Sequence, residues 1–507
     1  MEPLSPKLQK SCERLLLIFY ASFVLIPLGL TLQRYLLDFD FSLLSPLFLW
    51  VLIKSVFFAL LQATMSVLSV AVFSFFLVAY LAQKKLSPLA SKFFAASGFL
   101  GFSLSPTLVT LSLIFTLTRF TGQSPSGLWA IVLCHFLMNA AYFSSQFYAR
   151  ATRFFANEGK DLHLYLQSLG AGYLSLKRDL LWPLFKNDLK SWFPQVFLWC
   201  FMSFAPIVLL SAGPWQNTPE LLLYYSLLND PSGTRLILIF ILTATLSFLL
   251  TRFASAKSSV TSTENFAAPR EGHPETPATL ILFITSLLLL LPFLYSLFSP
   301  LFSPSHGKAS LLGSELLYSL VPTLIVFAFT FLLSTLFGVL SLLCSKELKA
   351  ISFCNFISAP MVLLGFFSFE TQSPFSKYFL IALGSYLALV PWAHRRVRSF
   401  ADALPAENKN LCLSLGLRNF SYFRFYLWPE IGPSILLLSL LFSLWSLGEY
   451  TFSKALLERN STLALFIEEK LRRYQFDEAS LALSITLALS VIVVTPLLWK
   501  GRRNAAL

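Results

Sequence analysis

Apolar residues run along this chain in long blocks, and the polar residues collect between the blocks rather than alternating within them. A helix needs about 20 apolar residues to cross a bilayer. Twelve stretches reach that length, at 14–33, 55–82, 93–118, 128–149, 189–210, 234–252, 278–298, 314–343, 349–369, 378–394, 431–451 and 479–499. The first is longer than a signal-peptide core and no small-x-small cleavage site follows it, so it reads as a retained span. The pattern predicts an all-α polytopic membrane protein of about 12 transmembrane helices.

The polar text between the blocks orients them. With the N-terminus inside, 27 of the 38 Lys and Arg fall on inside segments. That excess places both termini in the cytoplasm. One inside segment, SAKSSVTSTENFAAPREGHPET, is rich in Ser, Thr, Pro and Glu with little to bury, so 254–277 reads as a disordered linker. It separates a first half, 1–253, from a second, 278–507, each with six spans. An even number of spans gives both halves one orientation, related by an axis along the membrane normal.

Composition sharpens the class. Hydrophobic residues make up 56% of the 507 and charged residues only 12%, far below the soluble norm of about a quarter. The net charge of +13 sits in short clusters beside spans, as an anionic inner leaflet favours, and forms no basic face for nucleic acid. The six cysteines lack a C-x-x-C pair and the five histidines lack ligand spacing, so no metal and no disulfide are expected. No triad or paired-carboxylate constellation points to an enzyme.

One polar sentence is written twice. QSLGAGYLSLKRDLLWP spans Gln167–Pro183 and LSLGLRNFSYFRFYLWP spans Leu413–Pro429. Each has thirteen positions from glycine to proline, and each lies on an inside segment between the fourth and fifth spans of its half. The text predicts a short helix ended by a left-handed glycine, a basic second stretch, and a proline near the start of the next span. Such a paired surface elbow suits a partner that comes in two copies.

The Gly-to-Pro spacing resembles the EAA loop of ABC-importer permeases, with Ser168, Leu169, Gly170 and Pro183 in the first loop (159–187) and Ser414, Leu415, Gly416 and Pro429 in the second (402–430). Leu164-Tyr165-Leu166 and Asn410-Leu411-Cys412 stand where Glu-Ala-Ala is usual, and Trp182 and Trp428 replace a leucine. IVLCHFLMNAAYFSS at Ile131–Ser145, SAGPWQNTPELLLYYSL at Ser211–Leu227 and Ser446-Leu-Gly-Glu449 extend the resemblance, which is greatest to the thiamine importers, with iron(III) importers next. It implies two fused six-helix permease halves in a bacterial inner membrane. It also implies two ABC ATPase subunits that each receive one elbow, and a periplasmic solute-binding protein that delivers a small solute. ATP and Mg would bind the ATPase, because this chain has no G-x-x-x-x-G-K-[ST] run.

Ionisable and amide groups inside spans are costly and are candidate path residues. Glu449 near the outer end of the eleventh span stands either beside the path, favouring a cation, or at the headgroup interface. His135 and Asn139 lie four apart on one helical face, where they line the central gap or hydrogen-bond between helices. Gln62 and Asn355 take the interhelical reading. Ser66, Ser69, Ala71 and Ser74 suit close helix contact, and Glu468–Tyr474 suits a solvated outer helix. A twelve-span secondary transporter is the alternative; it needs mid-membrane ion sites and no duplicated elbows.

Overall fold

The computed structural model describes Leu4–Asn504 except residues 38–39, 41–44, 82–83, 85, 157–179, 214–215, 230–232, 255–274, 303–308, 346, 355–356, 367–372 and 458–461. Ser168, Leu169 and Gly170, Asn355 and most of the linker lie outside the described residues. Every described element is helical. In chain order the helices are α1 (Pro6–Leu37), α2 (Pro46–Leu81), α3 (Pro88–Ser103), α4 (Pro106–Thr121), α5 (Leu128–Ala156), α6 (Trp182–Phe201) and α7 (Ala205–Leu210). They continue as α8 (Pro219–Asn229), α9 (Gly233–Ala254), α10 (Thr276–Phe298), α11 (Ala309–Leu343), α12 (Lys349–Phe353), α13 (Ala359–Phe366), α14 (Pro374–Leu387) and α15 (Val390–Asp402). The last five are α16 (Ala406–Ser414), α17 (Phe420–Leu447), α18 (Thr451–Leu456), α19 (Leu463–Arg472) and α20 (Phe476–Asn504).

Among the described residues, eight helices are long and apolar enough to cross a membrane, and ten if each of two bent pairs counts as one span. The pairs are α3 with α4, bent by 105°, and α14 with α15, bent by 56°. Two of the twelve stretches read from the sequence, 189–210 and 349–369, are therefore not single long helices. The first breaks between α6 and α7, the second between α12 and α13. Apolar length alone does not register such breaks. Local chemistry does, because Ser105-Pro106 and Ser87-Pro88 restart helices with the serine Oγ accepting Leu108 N–H at 3.2 Å and Ala90 N–H at 3.1 Å.

The chain forms two compact units, each drawn from both halves of the sequence. The first comprises Met1–Val56, Asn217–Thr251 and His306–Glu469. In it, α1 from the first half packs on α11 and α13 from the second, and α11 packs on α17 with Gly338 set against Ile435. The second comprises Phe57–Gln216, Arg252–Ser305 and Lys470–Leu507. There α10, from the second half, packs on α3, α4 and α20. The opening helix of each half thus buries its inner face among helices of the other half.

Helical backbone satisfies its own polar groups, which a hydrocarbon medium requires. Ser and Thr in the spans do likewise by bonding back one turn: Thr243 to Ile239 O at 2.6 Å, Thr330 to Val326 O at 2.8 Å and Ser334 to Thr330 O at 2.6 Å. Large apolar side chains such as Phe57, Phe76, Leu332 and Ile492 stand exposed on the long helices. Lipid solvates such a surface where water would not.

Candidate functional site

The second elbow is described in full. Helix α16 ends on Gly416, whose φ of 76° is left-handed. Gly416 N–H donates to Leu413 O at 3.1 Å and Leu417 N–H donates to Cys412 O at 3.0 Å. Those two bonds form the Schellman pattern, which satisfies carbonyls that a helix end otherwise leaves open. Ser414 turns its hydroxyl back to Leu411 O at 2.7 Å. Leu411 and Leu415, one turn apart, face outward with Phe420 and Phe425; Leu415 and Phe420 are each 69% exposed. The Arg424 guanidinium lies 5.5 Å from the Phe425 ring centroid. The elbow therefore presents apolar knobs beside basic residues, on a turn whose shape is fixed by backbone bonds.

That turn stands on a polar clamp that the sequence reading missed. Leu348 N–H donates to His394 Nε2 at 2.9 Å, so the ring proton sits on Nδ1, which lies 3.0 Å from Ser341 Oγ. One turn on, Arg398 donates to Cys344 O at 2.7 Å and to Asp402 Oδ1 at 3.0 Å. Both side chains project from α15 and bind the C-terminal end of α11, where open carbonyls favour a cation. The signal was available, since a His and an Arg four apart after Pro391 mark one polar stripe on a helix.

The prolines repeat more than their spacing. Pro429 enters α17 directly after a π turn over Phe423–Leu427. Pro183 likewise enters α6 after Leu180 and Leu181, both in π geometry. Proline removes an N–H and crowds the carbonyl one turn back, and a wider turn relieves both conflicts. Leu180 and Leu181 are buried, as are Tyr426 and Leu427. The written repeat is thus also a repeat of local geometry at the described ends of both elbows.

In the second unit, His135 and Asn139 are buried and hydrogen-bonded. His135 Nδ1 lies 3.0 Å from Ser66 Oγ and Nε2 lies 3.0 Å from Ser203 Oγ, which ties α2, α5 and the α6–α7 break together. Asn139 donates to His135 O at 2.8 Å within its own helix. Gln62, one turn from Ser66, donates to Cys200 O at 2.6 Å, and Ser74 meets Ser144 at 2.9 Å. The polar groups hold the broken helix, a carbonyl-exposing geometry that transporters tolerate where protein rather than lipid surrounds it.

Glu449 follows α17 and accepts from Phe452 N–H, Ser453 N–H and Ser453 Oγ, each at 2.8 Å. The Tyr224 ring of α8 is near enough to feel its charge. The helix Leu463–Arg472 departs from the solvated reading: Glu468 is buried and paired with Lys454 at 2.9 Å, and Lys470 is buried and paired with Glu478 at 2.5 Å.

The described helices are those of an all-α polytopic membrane protein, and the relatives that the chain resembles are transport permeases. It is similar to the thiamine transport system permease protein ThiP of Brucella abortus, 25% identical over 368 residues, which cover 67% of this chain and 66% of that one. The ThiP protein of Haemophilus influenzae is 23% identical over 397 residues, 72% of this chain and 71% of the relative. That of Salmonella typhimurium is 23% identical over 320 residues, 59% of each. The matches thus span about two thirds of these relatives' length. No family model and no solved structure matches the chain. The similarity bears out the resemblance to ABC-importer permeases of the thiamine type.

Proposed function

We propose that this chain is the membrane-spanning subunit of an ATP-binding-cassette importer. Its two halves, 1–253 and 278–507, rock between inward-open and outward-open states when two ATPase subunits, each gripping one elbow, close on ATP. A periplasmic binding protein delivers the cargo. The observation that carries this reading is the second elbow: a rigid Gly416 turn that exposes Leu411, Leu415 and Phe420 to a partner instead of burying them. Ser5 N–H donates to Asn419 Oδ1 at 2.7 Å, so the start of α1 and the elbow share one end of the first unit. If the elbow is cytoplasmic, so is that end, in keeping with the basic residues around it.

Thiamine is the favoured cargo, because the relatives carry that name. Proteoliposomes holding the chain, its ATPase and its binding protein should take up labelled thiamine only with internal or external ATP on the ATPase side. Uptake that ignores ATP and collapses with a proton gradient would overturn the importer and favour ion coupling.

Glu449 supplies a second check. If its carboxylate serves the path, Glu449→Gln should raise the thiamine concentration for half-maximal uptake about tenfold, the loss of roughly 1.4 kcal/mol. Unchanged uptake with a lower melting temperature would leave Glu449 as the cap of α18 alone.

A further inference from the structure

Glu220 belongs to no elbow and no polar chain described above, yet it is completely buried. It stands in the first turn of α8, which Thr218 begins by accepting Leu222 N–H on its carbonyl at 2.9 Å. Its Oε2 accepts the Ser358 hydroxyl at 2.6 Å. Its Oε1 is buried and has no hydrogen-bond partner among the described residues. Ser358 is itself buried and sits immediately before α13, where its carbonyl accepts Val362 N–H at 3.1 Å. One carboxyl thus joins the head of α8 to the head of α13, across 138 residues of chain and inside one unit.

The surroundings decide its protonation. Helix α13, against which α8 packs, is Ala-Pro-Met-Val-Leu-Leu-Gly-Phe and has no ionisable side chain. On α8 the other ionisable groups are Tyr224 and Tyr225, neither of which supplies a cation. A carboxylate buried with one acceptor bond and no cation costs several kcal/mol, whereas the neutral acid does not. Burial accordingly pushes the Glu220 carboxyl up to about 8, with the Ser358 hydroxyl acting the other way.

We propose that Glu220 is a proton-operated latch within the first unit: as the neutral acid it holds the start of α8 against the start of α13, and its ionisation opens that contact. The sign follows from linkage. A carboxyl raised on closing binds a proton more tightly when closed, so the closed contact is fully favoured at low pH and is lost as pH rises through about 8. The segment 211–233 is read as facing the periplasm, so acid there would keep this part of the permease shut. That consequence for transport rests on the importer reading; the latch itself does not.

Hydrogen exchange on the full-length chain in lipid nanodiscs tests it between pH 6 and pH 9, after correction for intrinsic amide exchange. In the wild type, protection of the peptide covering α8 should fall about tenfold per pH unit from pH 6 up to about pH 8 and level off above it, while peptides from the middle of α2 stay flat. Glu220→Gln, permanently neutral, should abolish that fall. Ser358→Ala should lower protection of α8 already at pH 6. A wild type with no fall, or a Glu220→Gln chain that falls alongside it, overturns the latch. Should Glu220→Gln not accumulate, Ser358→Ala decides alone, and protection equal to wild type at pH 6 overturns it. Neither measurement involves an ATPase, so a failed latch leaves the importer reading standing, and failed uptake leaves the latch standing.

Discussion

Leu415→Glu should abolish ATP-driven uptake while leaving the chain as abundant in the membrane as the wild type. The residue is 69% exposed on a turn held by backbone bonds, so a carboxylate there meets water and disturbs no packing. A leucine buried in a partner's groove contributes about 1.5–3 kcal/mol. Replacing it with a charge adds the cost of desolvating that charge, so recruitment of the ATPase should weaken at least about 30-fold. The measurement is co-purification of the ATPase beside thiamine uptake, with membrane abundance as the control. Leu169→Glu should act in the same direction at the first elbow, and the double variant should be worse than either. Normal recruitment and normal uptake in both would remove the elbows from coupling, whatever else the chain transports.

How far the sequence reached that elbow is instructive. Gly416 was legible because few residues other than glycine end a helix in the left-handed region, and Pro429 because proline suits the first turn of a helix. Both are local rules, and the structure obeys them. The long spans were legible for a similar reason, since apolar length is a local property. The break after α6 and the one before α13 were not, because the mean hydropathy stays high across Ser203 and Ser358. What holds them is tertiary: Gln62 and His135 at one break, Glu220 at the other. A lone histidine in an apolar run reads equally as a path residue or as a strut. Only the positions of Ser66 and Ser203 show it as a strut in this conformation.

The composition of the two units was also beyond local rules. Nothing in the text of α1 says that Phe19 will meet Phe337, with ring centroids 4.4 Å apart, or that Glu13 will accept the Ser345 hydroxyl at 2.5 Å. Those partners lie more than three hundred residues away. Placing α1 of the first half among helices of the second gives the second elbow a support from the opposite half. The second elbow shows it: Asn419 is held by Ser5 at the head of α1. The second elbow is therefore linked to α11 by two routes, through the His394 and Arg398 clamp and through α1.

Gly98→Ala should be strongly damaging, and the contrast with Gly416→Ala explains why. A Cβ on Gly98 would lie 2.7 Å from Ala141 O and 2.8 Å from Ala141 C, which are backbone atoms that no rotamer change can move. A Cβ on Gly101, three residues on, would lie 3.3 Å from Leu137 O, so α3 and α5 meet along a seam of small residues. In lipid, packing of this kind supplies much of the attraction between helices, because burial against solvent does not. Separating them also unstacks Phe102 from Tyr142, now 4.3 Å apart. We expect a loss of about 3 kcal/mol, seen as a melting temperature several degrees lower in detergent and poor recovery of folded chain. A Cβ on Gly416, by contrast, would meet nothing within 4 Å and would carry only the left-handed penalty of about 1–2 kcal/mol, confined to one exposed turn. Gly416→Ala should therefore melt like the wild type and fail instead in ATP-coupled uptake. Equal melting of the two variants would mean that the seam at Gly98 can open without cost, and the close approach of α3 to α5 would then not be what holds the second unit together.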